Sequence, residues 1–118
     1  TGYFSTQGHH FSWVEVMAQT PEAKVKAKIK ALLKKYGVYY AMPIGTGYGN
    51  AGVPDFLCCA GGHFLAIEAK ANGGKPTALQ LKNINEINTC GGTAIVVDET
   101  GLTMLEAILK ARTEKDDE

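Results

Sequence analysis

Phe56-Leu57-Cys58-Cys59-Ala60-Gly61-Gly62-His63-Phe64-Leu65-Ala66-Ile67-Glu68-Ala69-Lys70 is the stretch on which the fold turns. Two apolar runs flank a Gly-Gly pair, the signature of a β-hairpin with a tight turn. Side chains on the return run alternate between faces, so Phe64, Ala66, Glu68 and Lys70 share one face while Leu65, Ile67 and Ala69 share the other. Glu68 and Lys70 therefore end the strand pointing the same way. Pro54-Asp55 opens the outgoing strand, and the hairpin returns Glu68 and Lys70 to its side. Two carboxylates and a lysine converge at one end of a sheet.

Such a set supports two readings. Paired carboxylates are a binding place for a hard cation such as Mg²⁺, and an adjacent lysine can position a water or steady a phosphate, which suits phosphodiester hydrolysis. The plain alternative is a cross-strand ion pair on an exposed edge, contributing roughly 0.2–1 kcal/mol. The strand is otherwise apolar, which puts its charges at the mouth of a buried sheet. On the residues alone the two readings are balanced.

Upstream, Thr20-Pro21 signals a helix start. Val25, Ile29, Leu32, Leu33 and Tyr36 then define one apolar face, and Gly37 ends the helix. Glu22 lies in the first turn, where complementing the helix dipole accounts for it. Val38 to Met42 reads as a strand stopped by Pro43. The glycine-rich loop Gly45–Gly52 that follows formally contains GxGxxG. It runs into Val53-Pro54 and a strand rather than a helix, which excludes a dinucleotide site. A close backbone approach, to a phosphate or within a turn, explains its glycines better.

Downstream, Asn72 to Pro76 is a loop, with Lys75 a solvated lysine or a phosphate contact. Thr77 caps a second helix whose Leu81, Ile84 and Ile87 are expected to face the core, and Gln80 sits where it completes a capping box. Gly91-Gly92 ends this helix. Thr93 to Val97 reads as a strand buried on both faces. Leu102, Leu105, Ile108 and Leu109 mark a last amphipathic helix. The order α-β-β-β-α-β-α, with a hairpin and a crossover helix, predicts an α/β fold: a mixed sheet of about four strands flanked by helices.

The 118 residues make one domain, with 45% hydrophobic and 20% charged residues. Residues 1–16 show no clear period; they read as an expression remnant or an upstream extension, with His9-His10 in a tag or loop. The body of the domain is expected over 17–112 and an acidic tail over 113–118. No apolar run reaches membrane-span length and no signal-peptide pattern opens the chain, so a cytoplasmic setting is expected. Cys58, Cys59 and Cys90 fit neither a disulfide framework nor a zinc motif and read as core fillers. Net charge is zero, so bulk charge does not argue for nucleic-acid binding. Lys24, Lys26, Lys28, Lys30, Lys34 and Lys35 crowd the first helix, where a solvated face explains most of them.

Four segments together resemble the PD-(D/E)XK nucleases, and within them the virus-type replication-repair nuclease (VRR-NUC) domain. They are Gly52-Val53-Pro54-Asp55-Phe56, Phe64 to Lys70, Gly74-Lys75-Pro76-Thr77-Ala78-Leu79-Gln80, and Gly91-Gly92 before an apolar strand. The resemblance runs from about Glu22 to Val97. It implies a restriction-endonuclease-like core and a Mg²⁺- or Mn²⁺-dependent endonuclease acting on DNA. Asp55 and Glu68 would be metal ligands, with the backbone carbonyl of Ala69 a third contact. Lys70 would position or activate the attacking water. Glu22 takes the place of an additional acidic residue near the metal, and Gln80 that of a glutamine that arranges the site. Ala69 stands where many relatives carry valine. The same resemblance implies a stand-alone, phage-type domain working in a host cytoplasm as a homodimer on branched, Holliday-junction-like DNA. Gly47, Gly49, Asn50 and Lys75 are candidate DNA contacts; Phe4, Phe11, Trp13 and the last helix are candidate dimer surfaces. A catalytically weak module that binds DNA structure for a partner enzyme is the second reading.

Overall fold

A computed structural model of the chain describes residues 3–6, 9–12, 20–44 and 52–114. The Gly61-Gly62 hairpin is its centre: β4 (Phe56–Ala60) and β5 (His63–Ala69) pair antiparallel, with Phe56 opposite Ile67 and Ala60 opposite His63. The short strand β3 (Tyr39–Ala41) adds antiparallel to the outer side of β4. β6 (Thr93–Val97) adds parallel to β5, with Glu68 beside Val96 and Ala69 beside Val97. The sheet order is β3-β4-β5-β6, so β5 is an interior strand. The first two strands of the chain, β1 (Tyr3–Thr6) and β2 (His9–Ser12), form a separate antiparallel ladder.

Helix α1 (Pro21–Lys35) begins where Thr20 Oγ1 accepts the Ala23 N–H at 3.1 Å, and Pro21 supplies a preset φ at the first helical position. It stops at Tyr36, with Gly37 at φ +65°, the left-handed geometry that favours glycine. Helix α2 (Ala78–Thr89) is the parallel crossover between β5 and β6, and α3 (Leu102–Thr113) follows β6. The expected order of three helices and four sheet strands is the one observed.

The sheet faces are unequally covered. On one, Val25, Ile29 and Leu33 of α1 and Leu105 and Leu109 of α3 bury against Phe56, Cys58, Leu65, Ile67, Ala69 and Val97. Tyr40 meets Phe56 edge-on, ring centroids 5.9 Å apart. On the other, α2 alone among the described elements supplies Ile84 and Ile87 against Ala66, Ala94 and Leu57. A single helix cannot cover four strands, which corrects two expectations. β6 is not buried on both faces, since Val96 is 37% exposed; and Leu81 is open to solvent because the first turn of α2 presents Gln80 to the sheet instead.

Two further expectations change. Only Cys58 is a core filler, its thiol pushed up to about 11 by burial, whereas Cys59 and Cys90 are exposed free thiols. The apolar face of α3, a candidate dimer surface, is occupied within the chain: Leu105 and Leu109 are buried, and Leu102 and Ile108 pack beside them. Residues 1–16, which show no sequence period, contain the β1–β2 ladder, where Phe4 stands opposite Phe11. Trp13 lies outside the described residues. No helix among the described residues is long and apolar enough to cross a membrane.

Gly61 ties the hairpin to α3. It has φ +58°, and a Cβ there would lie 1.7 Å from the Arg112 carbonyl oxygen, while Gly62, at φ +84°, faces open space. Gly61→Ala is therefore expected to cost more than Gly62→Ala, which adds backbone strain alone, of order 1–3 kcal/mol. Urea melts of the two variants check the ranking.

Candidate active site

Asp55 stands one residue before β4. Continuing the β4–β5 register one step places it opposite Glu68. Its Oδ2 accepts the Ala69 N–H at 2.9 Å, so the carboxylate also closes the open end of the hairpin. One oxygen thereby accepts from backbone, while Oδ1 faces the Lys26 ammonium at 3.5 Å.

Glu68 is 2% exposed, the one buried charged residue among the described residues. Its two oxygens are treated differently. Oε2 accepts from Gln80 Nε2 at 3.1 Å and lies 3.4 Å from Lys70 Nζ. Oε1 is buried and has no hydrogen-bond partner. An unsatisfied buried oxygen on a group that is charged at high pH is costly, by about 1–3 kcal/mol or more. Desolvation, followed by the neighbouring Asp55 charge, pushes the Glu68 carboxyl up to about 7, with Lys70 acting in the opposite direction. The Lys70 side chain is itself largely buried, at 14% exposed. This is not the exposed edge pair of the plain alternative: the strand is interior and the carboxylate dry.

Gln80 serves two roles at once, through the two ends of one amide. Its Oε1 accepts the Thr77 N–H at 2.8 Å, while Thr77 Oγ1 accepts the Gln80 N–H at 3.2 Å, a complete capping box. Its Nε2 is thereby aimed at Glu68. The position of this helix turn depends on Gly52, at φ +91°. A Cβ on Gly52 would lie 2.6 Å from Leu79 C and 2.8 Å from Gln80 N. The close approach expected of the glycine loop is thus made, at its last glycine, to the start of α2. Gly47, Gly49 and Asn50 lie outside the described residues. Lys75 is exposed in the loop between β5 and α2.

Glu22 comes near without joining Asp55 and Glu68. Its Oε2 is 3.6 Å from Lys26 Nζ, and the same ammonium lies 3.5 Å from Asp55 Oδ1. Lys26 is the site residue that sequence reasoning missed, counted with a solvated lysine face. Its spacing of four from Glu22 was the available signal, but nothing local indicated that the pair would reach Asp55.

The donor set fits a hard divalent cation in part. Glu68 Oε1 without a donor, Asp55 Oδ1 and the Ala69 carbonyl are oxygens, as Mg²⁺ or Mn²⁺ requires. Among the described residues, no three His, Cys, Asp or Glu side chains are grouped closely enough to hold a metal by themselves. Mg²⁺ is commonly held through one or two carboxylates, with waters and substrate phosphates completing its shell. Set against family models, curated proteins and solved structures, the chain matches none.

A raised carboxyl pKa has a definite stability signature. Glu68 titrates near 4.5 when unfolded and about 7 when folded, so the fold binds more protons in between, and stability falls as pH rises through that window. The Glu68→Gln variant should match the parent below pH 4.5 and exceed it above pH 7, with a Tm higher by about 4 °C for each kcal/mol relieved. Thermal unfolding at pH 4.5 and pH 8 checks this.

Proposed function

We propose that this chain is a divalent-cation-dependent nuclease that hydrolyses DNA phosphodiester bonds through Asp55, Glu68, Lys70 and Gln80, with Glu22 at the margin of the site. The observation that carries the reading is Glu68: a buried carboxylate on an interior strand, with one oxygen held by Gln80 and Lys70 and the other without any donor. A purely structural ion pair gains nothing from that orphaned oxygen, whereas a cation ligand uses it.

Asp55 Oδ1, Glu68 Oε1 and the Ala69 carbonyl would hold the ion. When bound, the cation would neutralise charge on the phosphate and acidify a water. Gln80 holds Oε2 of the Glu68 carboxylate, so that Oε1 is the oxygen that would be left for the ion. Lys70 brings a positive charge to the same edge, where it orients the attacking water and offsets charge developing on the phosphate. The water oxygen bonds to phosphorus, the P–O3′ bond breaks, and the leaving oxygen takes a proton, giving a 5′-phosphate and a 3′-hydroxyl. The family resemblance extends the proposal to branched DNA and to a homodimer, since one domain of this size covers little duplex.

Incubation with four-way junction, flap, duplex and single-stranded DNA tests the reading directly. Cleavage is expected with Mg²⁺ or Mn²⁺, abolished by EDTA, and reduced by at least about 10²-fold in Asp55→Ala and Lys70→Ala. Cutting that persists in EDTA or in either variant contradicts the mechanism. Tight junction binding with no cutting would favour the structure-binding module.

A further inference from the structure

Lys26 holds a position that its neighbours on α1 do not. Asp55 has one oxygen bound to the Ala69 amide, so Oδ1 is its oxygen without a backbone donor, and that oxygen faces the Lys26 ammonium at 3.5 Å. On its other side the ammonium faces Glu22 Oε2 at 3.6 Å. Both contacts are longer than the roughly 2.7–2.9 Å of a strong charge-assisted hydrogen bond. The Lys26 side chain is about one-third exposed, and its flexible four-carbon stem can move the charge outward. The neighbouring Glu68 Oε1, buried and without a donor, is not reached. A cation bound between Asp55 and Glu68 would share Oδ1 with a tethered ammonium.

We propose that Lys26 is a built-in counter-ion that a divalent cation must displace from Asp55, and that the released ammonium is taken up by a phosphate of the nucleic acid. This rests on reading the Asp55–Glu68 pair as a metal site. Cation binding and phosphodiester binding are then linked: whatever draws Lys26 outward frees Oδ1, and an ion on Oδ1 frees Lys26 for phosphate. Linkage of this kind is reciprocal, so either ligand raises the affinity for the other by the same factor. Charge balance supports the exchange. Glu22, Asp55 and Glu68 carry three negative charges when ionised, against two positive charges on Lys26 and Lys70. A divalent ion added with Lys26 still in place leaves a net positive site, which favours expelling the ammonium.

The test is Mn²⁺ affinity, measured by calorimetry on the full chain, for the parent, Lys26→Met, Lys26→Gln and Asp55→Asn, with circular dichroism to verify folding. Each titration is run with and without a short phosphorothioate oligothymidine. The two Lys26 variants are expected to bind Mn²⁺ about fivefold or more tightly than the parent. The oligonucleotide should raise the parent's Mn²⁺ affinity by a similar factor and leave the variants nearly unchanged. Asp55-dependent Mn²⁺ binding that is equal or weaker in both Lys26 variants overturns the role of Lys26 and leaves the metal site standing. An oligonucleotide effect of equal size in parent and variants overturns the linkage to phosphate. Mn²⁺ bound by neither parent nor Lys26 variants overturns this inference together with the proposed function.

Discussion

A carboxylate buried on an interior strand is the constraint around which the rest of this molecule is arranged. Glu68 has Ala66 and Ala69 close by on its own strand and Val96 beside it on β6, so water cannot solvate it as it would at a sheet edge. Some of its neighbours offset that cost, and the Asp55 charge adds to it. Gln80 and Lys70 satisfy one oxygen. The capping box orients Gln80, and the missing side chain of Gly52 lets the α2 turn come close enough to do so. Asp55 is pinned opposite by the Ala69 amide. The remaining oxygen, Glu68 Oε1, is left unsatisfied. Replacing a buried charge by a well-packed apolar residue is often neutral or stabilising, so stability alone does not explain a glutamate here, and the proposed cation role does.

Asp55 and Gln80 each belong to the fold and to the candidate site at once. Asp55 ties the mouth of the β4–β5 hairpin through one oxygen while the other faces Lys26. Gln80 stabilises the start of α2 through its carbonyl while its amide nitrogen serves Glu68. Removing either side chain therefore perturbs structure along with chemistry. Conservative substitutions that keep shape, such as Asp55→Asn, separate the two effects better than truncations do.

Much of this arrangement was legible in the sequence. The hairpin followed from Gly61-Gly62 between apolar runs, and strand parity put Glu68 and Lys70 on one face. Thr20-Pro21 and Thr77-Gln80 marked two helix starts through short-range hydrogen bonds that involve only neighbours in the chain. What escaped was set by long-range packing. Whether β6 is covered depends on how far one helix extends across a sheet, so the exposure of Val96 could not be read from its apolar run. Leu81 obeys the helical period yet lies outside because the neighbouring Gln80 is drawn to Glu68. Lys26 reaches Asp55 across 29 residues of chain, between two elements with no local signal of contact. The β1–β2 ladder has strands of only four residues, too short for alternation to register.

The unsatisfied oxygen of Glu68 and Oδ1 of Asp55 are proposed to share a divalent cation. Crystals of the protein soaked in Mn²⁺ and measured for anomalous scattering test it most directly. An anomalous peak is expected in contact with both Glu68 Oε1 and Asp55 Oδ1, with Lys26 moved off Asp55. A map in which Mn²⁺ is absent from that position, while Lys26 still faces Asp55 and Glu68 Oε1 still faces only protein, would contradict it.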